Sequence, residues 1–161
     1  NISELSDGLL NLTGAVTFYD SDIKIDGLTI RNSHAEDALN IVKSSFHLEN
    51  ISISQTTSDG IDFDFSEGFV KYAKFENIGG DALDFSGSKV VADYVTAVTI
   101  KDKALSIGER TDFRGSNLSI EHAGAGIAVK DGSLALISSL NIKESKFFDL
   151  MTYTKKKFYL R

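Results

Sequence analysis

Asp59-Gly60-Ile61-Asp62-Phe63 decides the fold, because the same phrase recurs along the chain at one spacing. Asp37-Ala38-Leu39-Asn40-Ile41 precedes it, and Asp81-Ala82-Leu83-Asp84-Phe85, Lys103-Ala104-Leu105-Ser106-Ile107 and Ala125-Gly126-Ile127-Ala128-Val129 follow, each starting 22 residues after the last. In every copy a small residue precedes two large apolar residues separated by one polar or small residue. That period of two marks a short strand with one face buried. A repeat of this length in register signals a solenoid before any other architecture.

Working outward, the rest of each period holds further alternating segments, such as Phe46-His47-Leu48 with Ile51-Ser52-Ile53, and Leu118-Ser119-Ile120 matched by Leu140-Asn141-Ile142. Asn50, Gly79-Gly80, Gly87, Gly108, Gly124 and Gly132 lie between them as turn formers. Three strands and three turns fit such a unit, and the longer 3.6-period stretches of a helical repeat are absent. The expected fold is all-β: a single-stranded, right-handed parallel β-helix of about six to seven coils, with Leu39, Ile61, Leu83, Leu105 and Ile127 as one interior ladder. Ile41, Phe63, Phe85, Ile107 and Val129 form the second. Coils stacked ~4.8 Å apart leave no place for a residue lacking an N–H, and the chain of 161 residues contains no proline.

The spacing predicts one domain over 1–161, regular over 37–146 and atypical at its terminal coils, 1–36 and 147–161. Ala15-Val16-Thr17-Phe18-Tyr19 and Phe147-Phe148-Asp149-Leu150-Met151 keep the phrase but slip by one residue. The chain does not begin with Met and its last residues carry no polar cap, so it reads as a fragment of a longer polypeptide. No apolar run approaches the ~20 residues of a membrane helix. A net charge of -6, with basic residues scattered except at Lys155-Lys156-Lys157, argues against a nucleic-acid partner, and the absence of cysteine excludes disulfides and thiolate chemistry.

Alternation lets the outward face be read directly. One line is Asn40, Asp62, Asp84, Ser106, Ala128; the next is Val42, Asp64, Ser86, Gly108, Lys130; Asp37, Asp59, Asp81, Lys103, Ala125 stand at the strand entrance. Six carboxylates therefore crowd one strip, bounded by Lys103 and Lys130. Stacked like charges repel unless a cation, a lysine or retained protons relieve them. Asp62, Asp64 and Asp84 are the expected ligand-binding residues, with Asp62 and Asp84 as a candidate Ca²⁺ pair; the alternative is a solvated face without a cofactor. Asp37, Asp59 and Asp81, each before Gly or Ala, also fit turn residues that accept backbone N–H bonds. Ser44, Ser66 and Ser88 form a ladder suited to satisfying turn backbone. His34 and His122, 88 residues apart, count as one coil position four coils removed, too distant to share a metal. Asn11-Leu12-Thr13 and Asn50-Ile51-Ser52 match the glycosylation pattern.

These phrases resemble the right-handed parallel β-helix, or pectin-lyase-like, superfamily. "DGIDFDFSEG", "NIGGDALDFSGS", "DKALSIGE" and "AGIAVKDGS" look most like the β-helix segments beside CotH-like domains in large surface proteins. The resemblance covers residues 37–133. Pectin-degrading hydrolases of the superfamily carry Asn-Thr-Asp-Gly, Asp-Asp, His-Gly and Arg-Ile-Lys on successive coils; here Ser58-Asp59-Gly60, Gly80-Asp81, Lys103-Ala104 and Ala128-Val129-Lys130 stand in those places. Asp59, Asp81 and Lys130 are the positions that match, and with Lys103 they are the candidate catalytic residues. The resemblance implies a non-catalytic module of an extracellular or cell-surface protein, binding polysaccharide or acting as a spacer. Its alternative is a lyase, epimerase or hydrolase acting on uronate-rich polysaccharide.

Overall fold

A computed structural model describes residues 12–159 of the chain. The strands are β1 (Gly14–Tyr19), β2 (Asp22–Arg31), β3 (Asp37–Val42), β4 (Ser45–Thr56), β5 (Asp59–Asp64), β6 (Glu67–Ile78), β7 (Leu83–Ser86), β8 (Lys89–Gly108), β9 (Asp112–Lys130), β10 (Leu134–Lys143) and β11 (Phe148–Tyr153), followed by a 3-10 turn at Lys157–Tyr159. Each strand from β1 to β9 pairs in parallel with the segment one coil later. β1, β3, β5, β7, the C-terminal parts of β8 and β9, and β11 make one stack. β2, β4, β6, the N-terminal parts of β8 and β9, and β10 make the other. This is a parallel β-solenoid of about six coils, 22 residues apart through its middle.

Its core is the ladder set expected from alternation. Leu39, Ile61, Leu83, Leu105 and Ile127 are Cα partners in chain order, and none is exposed. Ile41, Phe63, Phe85 and Ile107 are equally buried, whereas Val129 is only partly covered. The Phe63 ring stacks on Phe85 at 5.1 Å, with Phe46 at 4.6 Å from Phe63 and Phe113 at 5.3 Å from Phe85. Aromatic rings at such spacings run as a column along the axis.

Each coil turns three corners, and a residue with positive φ sits at each. Asn50, Tyr72, Tyr94 and Asn117 bend the long strands; Lys43, Phe65, Gly87 and Glu109 follow β3, β5, β7 and β8; Gln55 and Asn77 lie near the ends of β4 and β6, with Thr99 and His122 at the matching positions inside β8 and β9. Of the glycines expected to turn the chain, Gly87 and Gly132 do so, while Gly108 and Gly124 lie within β8 and β9. The expected hydroxyl ladder is present and longer than foreseen: the backbone N–H groups of Ser21, Ser44, Ser66, Ser88 and Thr111 donate at 3.0–3.1 Å to the hydroxyls of Ser44, Ser66, Ser88, Thr111 and Ser133 one coil on.

The end coils follow the same plan with one residue added. Gly14 pairs with Asp37 and Phe148 with Ala125, 23 residues away in both cases, which accounts for the one-residue slips of the terminal phrases. A similar addition inside the tube corrects the histidine reading. Lys89 pairs with Asp112 because Glu109 and Arg110 both occupy the corner that Gly87 turns alone, so Val98 aligns with Glu121 and His122 stands at the position of Thr99. Followed back coil by coil, that position belongs to Asn77, Gln55 and Asn32, and His34 lies two residues past it.

Candidate functional site

The strip of carboxylates lies on the outer side of β3, β5, β7 and the C-terminal part of β8. Register places Asn40, Asp62, Asp84, Ser106 and Ala128 in one line and Asp37 beside Asp59 at the entrance, as alternation requires. Asp37 and Asp81 are almost wholly covered, and Asp59, Asp62, Asp64 and Asp84 are half-buried. Covered by neighbouring side chains, these groups lose the water that would stabilise their charge.

The entrance aspartates act along the tube axis. Asp59 Oδ1 accepts the N–H of Asp81 at 2.7 Å, and Asp81 Oδ1 accepts the N–H of Lys103 at 2.9 Å. Gly80 makes the first contact possible, since a Cβ there would collide with Asp59 Oδ1. The N–H bonds therefore run to the next coil and not to a local turn. Asp37 differs, accepting the side-chain hydroxyl of Thr13 from the coil before it. Asp81 also takes the Lys103 ammonium at 3.0 Å, and Lys103 reaches Asp102 at 2.6 Å. The sequence reading did not include Asp102, although its adjacency to Lys103 was the available signal.

Farther along, Asn40 Nδ2 donates to Asp62 Oδ2 at 3.4 Å. Lys130 Nζ donates to Ser106 Oγ at 2.7 Å and lies 4.0 Å from Asp84 Oδ1. Oδ1 of Asn40 and Oδ1 of Asp84 are buried without a hydrogen-bond partner. One oxygen each of Asp59, Asp81 and Asp84 lie within 4.8 Å of one another. The structure thus groups Asp84 with Asp59 and Asp81, while Asp62 is its Cα partner one coil earlier. Such a set of hard oxygens suits a Ca²⁺-like cation.

Burial, with repulsion from Asp81, Asp84 and Asp37, pushes the Asp59 carboxyl up to about 7 against the N–H it accepts from Asp81. Burial and then Asp64 and Asp84 push Asp62 up as well. Asp37, Asp64 and Asp81 move in the same direction for the same leading reason, with Lys103 opposing the shift at Asp81. Burial pulls the Lys103 amine down, but Asp102 and Asp81 outweigh it and the group is held above its usual range.

Other candidates lie apart from the strip. His122 Nε2 meets Glu144 at 2.7 Å, and His47 lies 3.8 Å from Glu49. The basic run folds back on the tube: Lys156 pairs with Glu109, and the N–H groups of Lys155 and Lys156 both donate to Asp131 Oδ1. Asn50 Nδ2 donates to Asp26 at 2.7 Å. Asn11 of the other glycosylation pattern lies outside the described residues. Among those described, no helix is long and apolar enough to cross a membrane. Comparison with protein-family models gives no match, and comparison with curated proteins gives none either.

Proposed function

We propose that the chain is a non-catalytic module of a larger surface or secreted protein, a rigid rod whose acidic strip contacts carbohydrate. The observation that carries this reading is the state of Lys103. A proton-abstracting base must be neutral at working pH, and this amine is kept charged between Asp81 and Asp102. Lys130 is engaged with Ser106, and Asp59 and Asp81 each hold a backbone N–H of the next coil. Residues that an enzyme of the pectin-lyase-like type would use are occupied in holding coils together. Asp62, Asp64 and Asp84 remain as acceptors for sugar hydroxyls, with Ca²⁺ as the proposed ion for Asp84 and its neighbours. The kinship with β-helix segments beside CotH-like domains, the extracellular setting and the polysaccharide partner belong to the same proposal.

A second reading, a hydrolase or lyase on uronate-rich polysaccharide, is favoured by Asp59. A carboxyl pushed up to about 7 holds its proton near neutrality, as a general acid must. Incubating the protein with immobilised and soluble polysaccharides separates the two. Retention without new reducing ends or unsaturated products is the expected result. Turnover that disappears in Asp59→Asn would put the enzyme first, and neither retention nor turnover would leave a spacer alone.

A further inference from the structure

Phe65 stands at a corner of the tube, between β5 and β6, one residue beyond Asp64 of the strip. Its backbone has φ 50° and its ring is 60% exposed. Bulky residues rarely adopt positive φ, which Gly, Asn and Asp tolerate far better. The equivalent corner one coil later uses Gly87, and a Cβ on Gly87 would strike the Phe65 ring at 2.7 Å. The ring therefore rests against a bare backbone and presents its far side to solvent. Fold stability accounts for neither feature: an Asn at residue 65 would relieve the backbone and remove the exposed apolar surface together.

The surroundings say what such a ring would meet. Phe65 borders a hollow of about 310 Å³ that is lined also by Lys43, Lys89, Ser45 and Glu67. Both lysines are exposed and neither forms an ion pair among the described residues, although the Lys43 ammonium lies over the Tyr19 ring at 5.7 Å. A flat apolar platform sharing one hollow with two exposed ammonium groups and a hydroxyl matches a pyranose ring that stacks its C–H face and carries an anionic substituent.

We propose that Phe65, Lys43 and Lys89 form a binding subsite for one residue of an acidic saccharide, its ring on Phe65 and its carboxylate or sulfate between the lysines. This rests on the carbohydrate-binding reading and moves its main contact from the acidic strip, which repels anions, around the corner. The subsite takes the anion while Asp64 and the strip face neighbouring hydroxyls.

The test titrates the intact protein calorimetrically with a glucuronate-containing oligosaccharide, a sulfated heparin-derived one, and a neutral glucan fragment of equal length. Binding of an acidic probe at least tenfold tighter than the neutral one is expected, and the carboxylated and sulfated arms identify the substituent. Phe65→Asn is expected to lose that binding while its melting temperature stays level or rises, which a structural role for the ring would not produce. Lys43→Gln with Lys89→Gln should erase the preference for the anion. Binding of acidic probes that survives Phe65→Asn, or is lost only in Asp62→Asn and Asp84→Asn, overturns the subsite and leaves the carbohydrate reading standing. Absence of binding to every saccharide overturns both, as does tighter binding of single-stranded nucleic acid at the same residues.

Discussion

Phe63 and Asp62 are adjacent in sequence and point to opposite sides of β5, so their energetics diverge. Phe63 is fully buried between the rings of Phe46 and Phe85. Phe63→Ala removes that burial and leaves a cavity, and should lower unfolding free energy by about 3 to 5 kcal/mol in chemical denaturation; a loss under about 1 kcal/mol is incompatible with an interior column. Asp62 does the opposite. Carboxyls raised in the folded state stabilise the fold below the unfolded pKa near 3.8, and that contribution is lost as pH rises through the folded value, about 7 for Asp59. The melting temperature should accordingly climb on acidification from pH 8 toward pH 5. Asp62→Asn should raise it at pH 8 and flatten the profile. A melting temperature that falls steadily over that range would show the strip carboxylates to be ionised without strain.

Among the elements, the hydroxyl ladder makes the clearest claim. Ser66 Oγ accepts the N–H of Ser44 and donates to carbonyls of Ile41 and Asp64, all inside the corner. Ser66→Ala leaves a buried N–H unmatched and should destabilise by roughly 1 to 3 kcal/mol, with faster hydrogen exchange at Ser44; unchanged exchange there would remove the ladder's role. For the strip, millimolar Ca²⁺ is expected to raise the melting temperature by mass action, and Asp84→Asn, which removes a carboxylate of the Asp59, Asp81 and Asp84 set, to abolish the rise. An unchanged melting curve and a flat calorimetric trace would withdraw calcium. The ladders of β3, β5, β7 and β8 were legible in the sequence because side-chain alternation is fixed by the backbone, as were the lines of outward aspartates. The corners were not, because αL geometry falls here on Lys43, Phe65, Tyr72 and Thr99 as well as on Gly87 and Asn50, and residues of the first kind give no sign of it in the sequence. Nor was the grouping of Asp84 with Asp59 and Asp81, which depends on side-chain reach across coils and on the space at Gly80.

For the whole molecule, nearest-neighbour stacking means that stability is a sum over coils and interfaces between them. Among the described residues β10 and β11 have a partner on one side only, and Leu134, Leu136, Phe148 and Leu150 are about half exposed there. Hydrogen exchange should thus be slowest in β5, β6 and β7 and progressively faster toward β11; uniform protection would mean that the tube opens as a single unit. The extra residue at Glu109 and Arg110 shows how this body handles change. The addition there is cancelled where Lys101 and Asp102 face Gly124 alone, so that Lys103 again meets Ala125, 22 residues on. The phase error runs from Glu109 and Arg110 past the corners at Asn117 and His122 to Gly124, and never reaches the ladder of Leu105 and Ile127. Length can therefore drift at the corners by insertion and deletion while the threads of the screw stay meshed. A single inserted residue after Gly87 should be accommodated, and the same insertion after Leu105 should turn the interior outward.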